Sequence, residues 1–141
     1  ILGTWDRNVY AIELETGDIV WQFATNGRMQ GSPALDDING RIFQGSSGSG
    51  ETMFAIDLET GEKLWGVDLG NIASSPAISG DRARVVIGTS DHRVVALDAA
   101  TGDIVWQFET DGPVTASPTL VGDMIYVAAR LGSLYALRTS N

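Results

Sequence analysis

One phrase of eleven residues occurs three times in this chain. It runs from Ala11 through Gly17 to Trp21, and it returns at 55–65 and at 96–106. The glycines of the phrase lie 44 and then 41 residues apart. Self-similarity with a period of about 40 residues is typical of repeat arrays and propellers. The spacing therefore predicts a chain built of similar structural units.

Composition narrows the class of function. With 141 residues, of which 43% are hydrophobic and 19% charged, the chain is expected to fold as an ordinary globular protein. Its formal net charge of -9 argues against nucleic-acid partners, and no apolar run is long enough for membrane insertion. The chain has no cysteine and one histidine, which excludes disulfides, thiolate catalysis and multi-histidine metal sites.

Each unit contains four short runs that favour β-structure, here named strands A to D. In the last units we expect D near Ile104–Phe108, A near Val114–Leu120, B near Met124–Ala128 and C near Ser133–Leu137. Strands B and C are almost continuously apolar, which indicates that both of their faces are covered. That pattern favours radial blades, each packed between two neighbours, over a two-sheet sandwich.

Strand A is expected to line the central channel, because small polar residues dominate there. Each copy contains a Ser-Pro pair, with prolines at 33, 76 and 118. A proline removes a ladder hydrogen bond, so it fits an edge strand that faces the channel.

The repeated phrase itself predicts how neighbouring blades dock. Its glycine supplies the positive φ of a tight C–D reversal. Its tryptophan is expected to wedge against a flat surface that only glycine or alanine can provide. We therefore expect a structural blade-docking role for Ala11, Gly17, Trp21, Ala55, Gly61, Trp65, Ala96, Gly102 and Trp106.

The phrase Ala-x-(Asp/Glu)-x-x-Thr-Gly-x-x-x-Trp, with the Ser-Pro of strand A, resembles the tryptophan-docking repeat of the pyrroloquinoline-quinone (PQQ)-like propeller family. That family includes eight-bladed quinoprotein dehydrogenases and a non-enzymatic outer-membrane-assembly lipoprotein. The resemblance implies an all-β propeller of four-stranded antiparallel blades. It also implies a periplasmic or extracellular location.

The strand count predicts an open ring. Residues 1–141 divide into a partial unit (1–23), two complete units (24–67 and 68–108) and a unit without its outer strand (109–141). These make fourteen strands, or about 3.5 blades of an eight-bladed ring. Exposed blade faces would leave apolar surface in water. We therefore expect the remainder of its own propeller, or further copies of the chain, to complete the ring, and we expect no stable monomer.

The residues do not supply a catalytic constellation. A quinoprotein dehydrogenase would need a Ca²⁺ site, an aspartate base and usually a cysteine pair. Glu13, Asp57 and Asp98 recur once per repeat, so we expect them to bond the C–D turn. The segment 36–40 lacks the ligand spacing of a calcium loop, and Gly45–Gly50 is interpreted as a lengthened, flexible B–C loop. No catalytic, cofactor-binding or metal-binding residue is assigned.

The residues that break the repeat are the candidates for partner binding. Exposed aromatic and arginine side chains are the usual anchors of interfaces. On the face formed by the B–C and D–A loops these residues are Trp5, Arg7, Arg28, His92, Arg93 and Arg130.

Three functions remain open from the sequence. The leading hypothesis is a non-catalytic binding or scaffold module that presents its loop face to a protein or peptide and holds no cofactor. The alternative is a fragment of a PQQ- and Ca²⁺-dependent alcohol or sugar dehydrogenase whose cofactor residues lie outside the chain. A sensor domain attached to another module, such as a kinase, is the third.

Overall fold

The computed structural model describes residues 1–139. Every regular element in this range is a β-strand, and the strands form four antiparallel sheets. The predicted all-β class is therefore confirmed. The strands are β1 (Leu2–Gly3), β2 (Asn8–Ile12), β3 (Ile19–Ala24), β4 (Ala34–Asp36), β5 (Arg41–Gly45), β6 (Met53–Asp57), β7 (Lys63–Val67), β8 (Ala77–Ile78), β9 (Arg84–Thr89), β10 (Arg93–Asp98), β11 (Ile104–Glu109), β12 (Thr119–Val121), β13 (Met124–Ala128) and β14 (Leu134–Arg138).

Each sheet is one propeller blade. Blade 1 contains β1–β3, blade 2 contains β4–β7, blade 3 contains β8–β11 and blade 4 contains β12–β14. Successive strands are hydrogen-bonded neighbours, so the blades hold three, four, four and three strands, as the repeat count predicts. The A–B and C–D turns lie at one end of each blade. The B–C turns and the D–A connections lie at the other end, which is called here the loop face.

The prediction for strand A is wrong in its extent. Regular pairing begins only after the proline of each Ser-Pro pair, at Ala34, Ala77 and Thr119. One physical reason is that proline has no N–H to donate to the ladder. In blades 2 and 3 the serine before it also bonds sideways to the next blade. The N–H of Ser32 donates to Oγ of Ser75 at 2.8 Å, and the N–H of Ser75 donates to Oγ of Ser117 at 2.9 Å. The Ser-Pro segments therefore connect blades instead of extending the sheet.

The hydrophobic core lies between blades. Strands β5, β6, β9 and β10 are buried on both faces, because blades 2 and 3 each have a neighbour on both sides. In blade 4 the pattern changes to alternation: Ile125 and Val127 are buried against blade 3, and Tyr126 is exposed. Burial of apolar area is the main stabilising term in such packing. Each inner blade therefore depends on both neighbours.

Each repeated tryptophan lies against the next blade. In every blade with a strand D, the ladder shifts register directly after the alanine that pairs with this tryptophan. The indole N–H of Trp21 donates to the Leu58 carbonyl at 3.1 Å. Trp65 and Trp106 donate in the same way to the carbonyls of Ala99 and Thr139, both at 3.2 Å.

The glycine of the next turn lies under the indole. Gly61 has a φ of 75°, and a Cβ added there would lie 2.6 Å from Cδ2 of Trp21. At Gly102 the φ is 80° and the corresponding distance to Trp65 is 2.7 Å. Gly17 has the same conformation, with a φ of 77°, yet no atom lies within 4 Å of its added Cβ. The two inner glycines therefore meet a backbone requirement and a packing requirement together.

The repeated acidic residues bind their own turns, as predicted. The Asp57 carboxylate accepts the N–H groups of Glu59 and Thr60, and Asp98 accepts those of Ala100 and Thr101. The N–H of Thr60 chiefly lowers the pKa of Asp57, and the N–H of Ala100 chiefly lowers the pKa of Asp98. These carboxylates are occupied by structural bonds.

A buried carboxylate joins blades 2 and 3. Asp36 is fully buried and accepts Nη2 of Arg41 at 2.7 Å and Nη1 of Arg82 at 2.8 Å. Burial raises its pKa, but hydrogen bonds from Arg41, Asn39 and Arg82 outweigh that effect and bring the pKa to about 2. Because Arg82 belongs to the A–B turn of blade 3, this cluster holds the two blades together at the end opposite the loop face.

Candidate functional site

The loop face brings together side chains that the repeat does not use. In blade 1 the N–H and the hydroxyl of Thr25 both donate to the Arg7 carbonyl, at 2.8 and 3.1 Å. The same hydroxyl donates to the Gly27 carbonyl at 2.8 Å. One threonine therefore joins the B–C turn that carries Trp5 and Arg7 to the D–A connection that carries Arg28.

Trp5 and Arg28 form a stacked pair. The Trp5 side chain is 67% exposed, and the Cζ atom of Arg28 lies 5.5 Å from the centroid of its ring. A guanidinium over an indole face is attracted by the ring quadrupole, which favours this arrangement by about 0.5–1 kcal/mol at an exposed site. The two residues are 23 positions apart, and the N–H of Met29 bonds to the Thr4 carbonyl beside them at 3.4 Å.

Arg7 and His92 occupy backbone conformations that favour glycine. Their φ angles are 74° and 63°. In the corresponding turn of blade 4 this conformation is taken by Gly132, with a φ of 103°. A side chain in the left-handed region is strained. Arg82, which joins blades 2 and 3 at the opposite end, has the same conformation with a φ of 59°, so this strain is shared by the loop face and a structural turn. The sequence prediction did not identify this strain, because neither the Arg7 turn nor the His92 turn contains glycine.

The backbone beneath Arg28 is fixed by close packing. Arg28 forms an isolated bridge with Ser47, whose N–H donates to the Arg28 carbonyl at 2.8 Å. A Cβ at Gly27 would overlap the Ser47 carbonyl. The resulting groove has a volume of about 450 Å³, which is within the range of ligand sites. It is lined by Arg7, Asn26, Gly27, Arg28, Gln30, Ser47, Gly48 and Ser49.

The B–C loop of blade 2 is held more firmly than the sequence indicated. Beside the Ser47 bond to Arg28, the Ser47 hydroxyl donates to the Ile72 carbonyl at 3.2 Å. The N–H of Gly48 donates to Oδ1 of Asn71 at 3.1 Å. The expected flexible loop is therefore bonded to the connections on both sides, and it forms a firm wall of the groove.

The arginines of the loop face fall into two groups. Arg93 is engaged within the fold: its guanidinium donates to the Leu69 carbonyl at 3.1 Å and to Gln107 at 3.2 Å. Within residues 1–139, Arg7, Arg28 and Arg130 form no ion pair with a carboxylate. This is unusual in a chain with twice as many acidic as basic residues. Three of the candidate cations are therefore available to a ligand.

Asp6, which lies between Trp5 and Arg7, is hydrogen-bonded to residues of its own turn and of strand β2. Its carboxylate accepts the hydroxyls of Thr4 and Tyr10 and the N–H of Asn8. The Thr4 hydroxyl is the largest cause of its lowered pKa, followed by Tyr10. The carboxylate shapes the turn and does not pair with either neighbouring arginine.

Arg130 and His92 lie on the same face but outside the groove. The Arg130 N–H donates to the Pro113 carbonyl at 2.9 Å, and its side chain is exposed. The His92 carbonyl accepts the Thr110 N–H at 2.8 Å, in the position that Arg7 and Thr25 have in blade 1. Thr25 and Thr110 each precede a glycine by two residues, and this shared Thr-x-Gly spacing could have revealed the anchor from the sequence.

The part of the chain from residue 1 to 139 contains no group of three or more His, Cys, Asp or Glu side chains that could hold a metal ion. In the same range, no helix is long and apolar enough to cross a membrane.

The blades, their order and the loop face define a β-propeller repeat protein. The family model described as "Outer membrane protein assembly factor BamB" matches residues 2–68 and 49–141. The chain therefore belongs to this family of PQQ-like repeats, and the predicted resemblance is confirmed.

Both classes of relative predicted from the repeat are found. The dehydrogenase subunit of an alcohol dehydrogenase (quinone) from Gluconobacter oxydans is 34% identical over 104 residues, which cover 65% of this chain and 13% of the relative. Outer membrane protein assembly factor BamB from Shewanella oneidensis is 27% identical over 142 residues, which cover 93% and 32%. The chain thus spans only a small part of either relative.

A solved structure has the same fold. The crystal structure of BamB from Moraxella catarrhalis superposes with a TM-score of 0.82 at 24% identity. The match covers 98% of this chain and 42% of that chain. The likeness establishes the propeller architecture.

Proposed function

We propose that this chain is part of a non-catalytic propeller that binds a protein or peptide partner through its loop face. The observation that carries this proposal is the Trp5–Arg28 pair beside Arg7, a cluster of exposed anchors whose arginines form no ion pair within residues 1–139. Aromatic and arginine side chains dominate the binding energy of interfaces. The name of the BamB relatives, an assembly factor for outer membrane proteins, agrees with a scaffold role.

The acidic residues of the inner blades that are most engaged have structural roles. Asp57 and Asp98 bond their turns, and Asp36 joins two blades. Within residues 1–139, the three arginine side chains that form no ion pair all lie on the loop face. A partner of this chain is therefore expected to approach that face. By family resemblance, we propose that the partner binds in the periplasm or outside the cell.

As the second candidate function, the chain is a piece of a PQQ- and Ca²⁺-dependent alcohol or sugar dehydrogenase. It is favoured by the 34% identity to the dehydrogenase subunit from Gluconobacter oxydans. A Ca²⁺ ion needs six to eight oxygen ligands, and the carboxylates of residues 1–139 are dispersed among separate turns. The residues present do not fit a Ca²⁺-bound quinone, so this function would need cofactor residues from outside the chain.

The two open blade faces support the proposal that further blades complete the ring. On blade 4, Leu134 is 73% exposed and Tyr126 lies beside it on the face that no blade covers. On blade 1, Leu14 is 97% exposed at the turn whose counterparts in blades 2 and 3 accept an indole. We propose that either the remainder of the propeller or further copies of the chain bury these faces.

Two measurements test the proposed function. Partners captured on the full-length protein should be lost when Arg7, Arg28, His92 and Arg130 are replaced by alanine, and retained when Ile38 at the opposite end is replaced. Addition of PQQ and Ca²⁺ to the full-length protein should produce no spectral shift and no alcohol-dependent dye reduction. Turnover in that assay would establish the dehydrogenase and overturn the non-catalytic proposal.

A further inference from the structure

We infer that the groove beside Trp5, Arg7 and Arg28 binds an acidic peptide segment. The guanidinium groups of Arg7 and Arg28 would take Asp or Glu carboxylates, and the Trp5 ring would pack on a neighbouring apolar side chain. The inference rests on the proposed function and specifies the ligand chemistry of the loop face.

The Arg28 guanidinium is positioned before any ligand arrives. Trp5 holds it at 5.5 Å from the ring centroid, and Ser47 and Gly27 fix the backbone beneath it. An arginine held in this way loses little conformational entropy when it binds a carboxylate, and its planar fork can bind both carboxylate oxygens. Within residues 1–139 Arg28 forms no ion pair, so its planar guanidinium is free to bind a carboxylate.

Arg7 places a second cation at the rim of the groove. Its φ of 74° would be adopted without strain by glycine, which blade 4 has at the corresponding turn. The Thr25 hydroxyl and N–H hold the Arg7 carbonyl, so the turn cannot relax without breaking these bonds. The strained turn therefore presents a cation at the rim of the groove.

The groove is suited to a peptide in shape and polarity. Its volume of about 450 Å³ suits a short segment, and serine, glycine and asparagine line it together with the two arginines. The Ser49 hydroxyl can bond peptide groups, and the Ser47 hydroxyl, which donates to the Ile72 carbonyl, can still accept. Among residues 1–139 no carboxylate lines the groove, and Asp6, next to Arg7 in sequence, accepts bonds from Thr4, Asn8 and Tyr10.

The net charge of the whole chain confines an acidic ligand to this groove. With a net charge of -9, most of the surface repels an acidic ligand, and a pair of unpaired arginines is a distinct positive site. The same net charge disfavours a polyanion as long as a nucleic acid, because its phosphates would extend over acidic surface. A short acidic peptide avoids that cost.

The test compares two capped hexapeptides on the ¹⁵N-labelled full-length protein: Asp-Phe-Glu-Asp-Phe-Glu and the neutral isostere Asn-Phe-Gln-Asn-Phe-Gln. The indole N–H signal of Trp5, assigned by its loss in Trp5→Phe, is a selective reporter, because the three repeated indoles of residues 1–139 are hydrogen-bonded within the fold. We expect the acidic peptide to shift the Trp5 signal and to bind about tenfold more tightly than the neutral one. Arg28→Ala and Arg7→Gly should each remove most of that preference.

Arg138→Ala is the control, because it removes an exposed arginine at the end of the blades opposite the loop face. It should leave the acidic peptide's affinity within about twofold. Equal affinity for the two peptides, no binding of either at millimolar concentration, or equal loss in Arg138→Ala would overturn the inference. A peptide that shifts His92 and leaves Trp5 unmoved would also overturn it, while leaving the loop face as the binding surface. If the full-length protein still captured its partner in every loop-face variant, the proposed function would instead be overturned.

Discussion

At the scale of single residues, the same side-chain type has different roles in neighbouring repeats. Gly17, Gly61 and Gly102 share a turn conformation, but only the latter two lie under an indole. Arg7, Arg82 and His92 occupy a conformation that glycine would adopt more easily; Arg82 joins two blades, and the other two lie on the loop face. Single residues therefore show which positions are set by blade packing and which belong to the loop face.

The three glycines provide a matched test of indole packing. Gly17→Ala introduces only the backbone strain of a positive φ and should destabilise the chain by about 1 kcal/mol. Gly61→Ala adds a clash with Trp21 and should cost about 2 kcal/mol more. Urea unfolding followed by near-UV circular dichroism would measure both. Equal losses in the two variants would contradict the packing role of Gly61.

The strained turn of blade 1 should be stabilised by glycine. Arg7→Gly relieves the positive φ and should raise the free energy of unfolding by about 1 kcal/mol, while it weakens acidic-peptide binding. Arg130→Gly, where the backbone has no positive φ, should bring no such gain. Thermal unfolding of the three proteins measures the difference. If Arg7→Gly lowered stability, strain at this turn would be ruled out.

At the scale of strands and turns, sequence patterns predicted the elements well where local chemistry fixes them. Apolar runs placed β13 and β14 within one residue, and the Thr-Gly pairs placed the C–D turns. Strand A was placed too early, because the Ser32 and Ser75 bonds run to another blade and no local pattern reveals them. The Trp5–Arg28 pair was also hidden, since it joins residues that meet only in the folded blade.

The buried cluster at Asp36 should control the stability of the blade 2–blade 3 junction. Asp36→Asn removes a buried charge from two arginines and should destabilise the chain by about 3 kcal/mol. Asp123→Asn is the control, because its pair with Arg138 is exposed and should matter little. Chemical denaturation at neutral pH measures both changes. Equal effects would show that the Asp36 cluster is no stronger than a surface pair.

Acid should weaken the same junction in a defined range. The pKa of Asp36 is lowered from 3.8 to about 2 in the folded chain. Its stabilising contribution is therefore complete above about pH 4 and is lost as the pH falls towards 2. The unfolding midpoint of the unaltered chain should drop more steeply over that range than the midpoint of Asp36→Asn. Parallel pH profiles would contradict the depressed pKa.

At the scale of the whole molecule, the blades form an open arc with a distinct loop face. The apolar faces of blades 1 and 4, with Leu14, Tyr126 and Leu134 exposed, resemble interior surfaces without a neighbour. The chain covers 42% of the BamB structure from Moraxella catarrhalis. Burial of these faces and binding at the loop face are separate properties, because they involve different surfaces.

The isolated 141-residue chain should associate in solution. Sedimentation velocity at micromolar concentration should detect species larger than the monomer, because exposed apolar faces bury one another. Leu134→Glu on the open face of blade 4 should shift the distribution towards monomer, whereas Ile38→Glu in an A–B turn should not. A single monomeric species for the unaltered chain would contradict the expected burial of the open faces.

Photo-crosslinking in the full-length protein tests the loop face as the binding surface most directly. A benzophenone side chain would replace His92 on the loop face and Ile38 at the opposite end, since both positions are exposed. We expect a discrete protein crosslink from position 92 that disappears when Arg7 and Arg28 are replaced by alanine, and none from position 38. Crosslinks from position 38 alone, or crosslinks from position 92 unaffected by the arginine changes, would contradict it.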